Sequence, residues 1–316
     1  MGDKHFHGVH WPYQNLAYAD LNHAVMTSAN LERANLEKAS LWRANLDFVF
    51  GREACFRDAC MREIHGQNIN LEKADMEGAD LHGAQLINSF LHGANLAHAN
   101  LEGADLRSAN LSTCNLASGR LLYTDLSGAN LSLANLEGAV LIGVNLENAN
   151  LYGCNFAHAQ LSDVNMKNAN ISQANFFGAT LDNLDLEQVH NLHQAKFDQI
   201  NVNKKFFRFM SMENAHLQNK NLQNADFQGA NLSNADLRGA NLNGANFKDA
   251  NLIFCNLQGT SIQGTLFDYS ILTQANISEI QSFDGASFLG ANWWSASCIS
   301  PQQFKEYLRK NFARTF

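Results

Sequence analysis

The side chains that could do chemistry are few and scattered. His5, His7 and His10 fall within six residues, just ahead of Trp11. Imidazoles at that spacing could hold a transition metal loosely. Alternatively, residues 1–13 form only an N-terminal segment or cap. The 6 cysteines include no CxxC pair, the arrangement that would read as a zinc or redox site. His82 and His92 are ten apart, and His98 and His158 are sixty apart. No glycine-rich phosphate loop occurs. Whether any of these groups converge depends on the elements that carry them.

Those elements are set by a period of five. In ANLEGADLRSANL, residues 99–111, Leu101, Leu106 and Leu111 follow one another at five-residue steps, each with an alanine two places earlier. Neither a helix nor a single strand keeps such leucines on one face. The register runs unbroken from Leu16 to Leu186, then from Leu192 to Ile277, then through Phe283, Phe288 and Trp293. Of these 56 central positions only Gly51 and Gly66 are not large and apolar, so the repeat is the fold. Alanine and leucine two apart point the same way from an extended segment. The residue between them points elsewhere, and two small or polar residues then turn a corner.

The phenylalanines give the number of sides. Phe207, Phe227, Phe247 and Phe267 are 20 apart, as are Phe156 and Phe176. A coil of four five-residue sides would stack them ring on ring. The frame slips by one residue near 187–191 and again near 278–282, and each slip reads as a single-residue bulge. The repeat thus spans residues 14–296.

ANLEG, ADLRS, ADFQG and ANFKD match the A(D/N)LXX motif as they stand, and the chain resembles the pentapeptide repeat family. That resemblance implies an all-β fold, a right-handed quadrilateral parallel β-helix, here of about 14 coils at four units each. A coil alone has no stacking partner, so such an array is stable only when several coils deep. Its open ends need covers. Residues 297–316 supply one candidate, a short capping α-helix. Ser300 caps it, Pro301 opens it, and Phe304, Tyr307 and Leu308 share one face. Trp293 and Trp294 would join the last coil to that helix, which could also serve a homodimer, as in some family members.

On such a coil the candidate groups do not converge. His82 and His92 fall on opposite sides, and His98 and His158 lie three coils apart. Cys55 and Cys60 lie on neighbouring sides. Cys114, Cys154 and Cys255 take the small inward position and read as buried structural thiols. A filled, convex solid offers no cleft for catalysis. The expectation is a protein that is not an enzyme, with no metal and no cofactor. The start shows no apolar signal region, and no run of about 18 apolar residues would span a membrane. A cytoplasmic location is expected.

Function then rests on the outward surface. The net charge of −8 is uneven: residues 63–203 carry 15 acids against 5 bases. One side of the coil carries Asp105, Asp125, Glu147, Asp185 and Glu187, together with Arg107 and Lys167. One family branch, the quinolone-resistance proteins, resembles a DNA duplex in size and charge and binds type II topoisomerase. Here the acids are far sparser than the one charge per about 1.7 Å of a duplex. The first expectation is therefore a scaffold or adaptor that binds another protein, and the alternative is a DNA-mimicking modulator of gyrase. Direct nucleic-acid binding is not expected. Two irregular stretches, residues 47–70 and 203–209, read as deformed or bulged coils, or else as a contact patch or side loop. In the second, Phe206 and Phe209 point away from the core beside three cations, a composition common in protein interfaces.

Overall fold

A computed structural model of the protein describes residues 4–182, 189, 195, 201–202, 207–209, 212–293, 295–296 and 306. The chain divides into two compact units, Met1–Leu184 and Asp185–Phe316. In the first, parallel pairs run from His5↔Val25 to Asn155↔Asn175, every partner 20 residues on. In the second they run from His216↔Asp236 to Asn256↔Asn276 at the same interval. Four five-residue sides therefore make one coil in both units.

The coil ladder begins at His5, inside the stretch that could have been a separate N-terminal cap, so Phe6 and Trp11 already hold the central register. Each side bonds both ways. The Asp105 amide donates to the Ala84 carbonyl at 2.9 Å, and the Leu106 amide donates to the Asp125 carbonyl at 2.7 Å. On one side of the first unit the pairing lengthens into β1 (Val140–Ile142), β2 (Gln160–Ser162) and β3 (Thr180–Asp182), in parallel register. The second unit contains β4 (Asn201–Val202).

The five-residue pattern puts two residues inward on each side. Ala104 and Leu106 are both 1% exposed. Burying each leucine contributes about 1.5–3 kcal/mol before chain entropy is subtracted. The phenylalanines form the expected column. Phe207, Phe227, Phe247 and Phe267 stack with centroids 4.7 to 5.1 Å apart and ring planes within about 10° of parallel. The slip near 278–282 is a one-residue bulge: beyond it the pairs are Ser261↔Ser282 and Leu266↔Ser287, 21 apart. Phe288 still stacks on Phe267 at 4.8 Å. The slip near 187–191 lies outside the described residues.

Residues 47–70 are neither deformed nor looped out. The pairs Phe50↔Asn70 and Cys55↔Asp75 keep the 20-residue step. Volume is conserved across coils instead. A Cβ on Gly51 would sit 2.8 Å from Leu71 Cδ2, and one on Gly66 would sit 2.9 Å from Leu86 Cδ2. Leucines of the next coil fill the space, and Val49, Ile64 and Ile69 replace inward alanines around it.

The corners hold a feature that small-and-polar turn reasoning misses. The second corner residue has positive φ throughout: 36 such residues are not glycine and 17 are, among the described residues. For an L-residue this left-handed backbone costs about 1–2 kcal/mol. Two hydrogen bonds hold it in place. At one corner the Ala109 amide donates to the Leu106 carbonyl at 3.0 Å, and the Ser108 amide donates to the Ser127 carbonyl of the next coil at 3.0 Å. Large corner side chains also need room. The Tyr123 ring lies over Gly143, where an added Cβ would be 2.7 Å from it, and Tyr269 lies over Gly290 in the same way.

Candidate partner-binding faces

The middle residue of each side, usually Asn or Asp, faces outward but is bound to the frame. Its Oδ1 accepts from the amide two residues on: Ala97 donates to Asn95 at 3.2 Å and Ala117 to Asn115 at 3.2 Å. Its Nδ2 donates to the equivalent oxygen one coil earlier. Asn115 donates to Asn95, Asn135 to Asn115, Asn155 to Asn135 and Asn175 to Asn155, at 3.0 to 3.2 Å. A carboxylate can receive in such a ladder but cannot pass it on, having no proton to give. Accordingly Asp75 stands at the start of this ladder, accepting from Asn95 at 3.1 Å. Asp125 starts another, accepting from Asn145 at 3.2 Å.

This changes the meaning of the acidic side. Asp125 is a ladder base whose Oδ1 also takes the Ser127 amide at 2.9 Å. Asp105 is held bidentately by Arg107, with Nε–Oδ1 at 2.8 Å and Nη2–Oδ2 at 2.7 Å. Burial raises its carboxyl, but the Arg107 hydrogen bonds and charge outweigh burial and hold it below the ordinary aspartate value. Glu147 has Lys167 at 3.9 Å. Asp185 and Glu187 lie outside the described residues. The described acids of this side thus serve the frame or nearby cations.

Nearer the start, charges alternate between coils at the corners. Arg33 reaches Glu53 and Arg43 reaches Glu63, both at 2.7 Å. These hydrogen bonds hold both glutamates below their ordinary range. All four side chains are solvent-exposed enough for screening to keep the pairs weak.

Of the aromatic candidates, Phe209 is 73% exposed at a corner, its ring over Gly229, while Phe207 is buried at 3%. Arg208 is drawn to Asp226 at 2.6 Å rather than left free. Trp293 is half-buried in the last coil. Phe206, Trp294, Phe304, Tyr307 and Leu308 lie outside the described residues. So does the expected capping helix, apart from Glu306, whose backbone is helical.

Among the described residues no cluster of His, Cys, Asp and Glu could hold a metal ion. Cys114 and Cys154 are buried as the inward position requires, and desolvation pushes each thiol up to about 12. Each donates to a backbone carbonyl, Cys114 to Leu91 and Cys154 to Leu131. No described helix is long and apolar enough to cross a membrane.

What faces outward without serving the frame is a set of large side chains: Phe48, Phe50, Phe90, Tyr123, Phe209, Phe254 and Tyr269 are between 47% and 73% exposed. Sequence reasoning found only Phe209 among them. The available signal was a bulky residue at a corner or mid-side place where the repeat otherwise has a small or amide residue.

The chain is similar to the solved structure of HetL, a pentapeptide repeat protein involved in heterocyst differentiation regulation from the cyanobacterium Nostoc sp. strain PCC 7120. Identity is 24% over 90% of this chain and 93% of that one, with a TM-score of 0.30. Rfr23, a pentapeptide repeat protein from the cyanobacterium Cyanothece 51142, is 41% identical over 27% of this chain and 58% of that one, with a TM-score of 0.27. Full-length QnrB1, a plasmid-mediated fluoroquinolone resistance protein, is 14% identical over 75% of this chain and 95% of that one, with a TM-score of 0.24. No curated protein matches the chain. The family model for pentapeptide repeats matches segments from 13–43 to 245–280, covering residues 13–65, 67–190 and 211–280. With most of its length matched by that model and its coils closing every 20 residues, the chain belongs to the pentapeptide repeat family.

Proposed function

We propose that this protein is a non-catalytic frame, a scaffold or adaptor whose outward faces bind another protein. One observation carries the reading. The inward positions and the Asn ladders are committed to the frame, whereas large apolar side chains such as Tyr123 (67% exposed) and Phe209 (73% exposed) stand outward on fixed corners. Binding through side chains already held in place avoids part of the ordering cost of association. The finer architecture proposed with it is a right-handed quadrilateral β-helix of about 14 coils, closed by a C-terminal helix around residues 300–313. That helix could also join two copies. A cytoplasmic setting is proposed too.

The competing reading, a DNA mimic acting on a type II topoisomerase, needs a dense acidic stripe. The Asp105–Arg107 pair weighs against it, because a DNA-binding surface would meet a neutralised carboxylate there. A gyrase supercoiling assay with and without a fluoroquinolone separates the two. The frame reading expects no inhibition and no protection at micromolar protein. It also expects a stoichiometric protein partner to co-purify from the native host and to be lost with Tyr123→Ser or Phe209→Ser. Dose-dependent action on gyrase would replace this reading with the other.

A further inference from the structure

We infer that the face carrying β1, β2 and β3 docks a protein segment with an apolar centre and cationic ends. This rests on the reading of the protein as a binding frame and names the partner chemistry of one face. In the later coils of the first unit, the mid-side place on the other three sides holds laddered asparagines, such as Asn135, Asn150 and Asn165. On the fourth side the same place holds Arg120, Val140, Gln160 and Thr180 in successive coils. None of these is an Asn or Asp, so none supplies the Oδ1 that accepts the amide two residues on.

Around Val140 the place of the ladder is apolar. Leu122, Val140 and Ile142 are half-buried, and the Tyr123 ring, 67% exposed, lies beside them over Gly143. The backbone beneath is fixed by the parallel pairs Val140↔Gln160↔Thr180 and Ile142↔Ser162↔Asp182. The patch is therefore preorganised, and little ordering is needed when it is covered.

Charge selects the occupant. Residues 63–182 carry 12 acids against 4 bases. Arg120, the cation on this face, is taken up by Glu102 at 2.9 Å. Asp163 and Asp182, both exposed, lie at its far end. The surrounding potential attracts a cation and repels a polyanion such as nucleic acid.

The test uses the full chain and labelled ten-residue peptides in fluorescence anisotropy at low and high salt. One peptide has a Val-Thr alternating centre with Lys ends. A second has the same centre with Glu ends, a third has a Ser centre with Lys ends, and a ten-base single-stranded DNA is the fourth probe. The first peptide should bind at least tenfold more tightly than the other three and weaken with salt. Val140→Asn combined with Ile142→Ser should remove that preference, while Phe209→Ser should leave it. Asn is what the other three sides carry, so the fold should be kept, which circular dichroism checks. Absence of binding at millimolar peptide, equal binding of the Ser-centred peptide, or preference for the DNA overturns the inference. Binding that depends on the apolar centre but ignores Val140→Asn with Ile142→Ser overturns this face and leaves the frame reading standing.

Discussion

Asn135→Asp changes almost nothing in shape and removes one donor. In the native ladder Asn135 Nδ2 donates to Asn115 Oδ1 at 3.2 Å, while Asn135 Oδ1 accepts from Asn155 at 3.0 Å and from the Glu137 amide at 3.2 Å. The carboxylate keeps both accepted bonds and loses the donated one. A carboxylate oxygen then faces the Asn115 oxygen with no proton between them. A lost hydrogen bond at a half-buried site costs about 1 kcal/mol, and the unmatched pair raises the total to about 1–3 kcal/mol. That corresponds to a fall of several degrees in the melting temperature. The sign of the pH dependence follows from the same contact. Protonation supplies the missing donor, so the folded-state pKa of the introduced carboxyl is raised above its unfolded value. The penalty relative to the parent should therefore be full at pH 7, shrink as pH falls through that raised pKa, and be smallest below about pH 4. Thermal melts of both proteins by circular dichroism across this range measure the difference, in which titration of the native acids cancels. Asn88→Asp, at an exposed corner with φ of 56°, should stay within about ±0.5 kcal/mol. A penalty that is pH-independent, or no larger than that of Asn88→Asp, would refute the ladder.

Leu106→Lys puts an ammonium where exposure is 1% and should cost several kcal/mol in a melt, whereas Ser108→Lys at the neighbouring exposed corner should cost within about ±0.5 kcal/mol. Glu102→Lys would not be a neutral comparison, because Glu102 pairs with Arg120 at 2.9 Å. Gly143→Ala places a Cβ 2.7 Å from the Tyr123 ring, while Gly103→Ala meets nothing within 4 Å. Both carry the left-handed cost of about 1–2 kcal/mol, so Gly143→Ala should be the worse, and adding Tyr123→Ser should bring the two together. Ser89 sits at an inward alanine position with its buried hydroxyl unbonded to the protein. Ser89→Ala should stabilise by about 1 kcal/mol in the same melts, and a loss of stability would show that the hydroxyl has a use.

How much was legible in the sequence follows from where each constraint acts. The inside is specified residue by residue, so Leu106, Cys114 and the phenylalanine column could be placed from spacing alone. Gly51 and Gly66 read as irregular because their compensation comes from Leu71 and Leu86, 20 residues on, and a local pattern does not show a contact across coils. The ladders escaped for a similar reason. Asn and Asp are interchangeable in the motif, and only stacking distinguishes a side chain that must donate from one that need only accept. On the acidic side the sequence placed Arg107 beside the acids but could not show that its guanidinium grips Asp105, which is a matter of side-chain geometry. The outward face is the least legible, since the frame tolerates almost any residue there.

All of these assignments depend on a coil of 20 residues, and one distance checks it. Ser28 and Asn168 occupy corners of the same column in the first unit, both with positive φ, and they are 140 residues apart in sequence. Spin labels can be attached through Ser28→Cys and Asn168→Cys after Cys55→Ser, Cys60→Ser and Cys298→Ser. Double electron–electron resonance then reads their separation. Seven coils at about 4.8 Å place the labels about 34 Å apart with a narrow distribution. A peak near about 45 Å would mean three sides to the coil, and one near about 27 Å would mean five. Either result would contradict the four-sided frame and every face assigned on it.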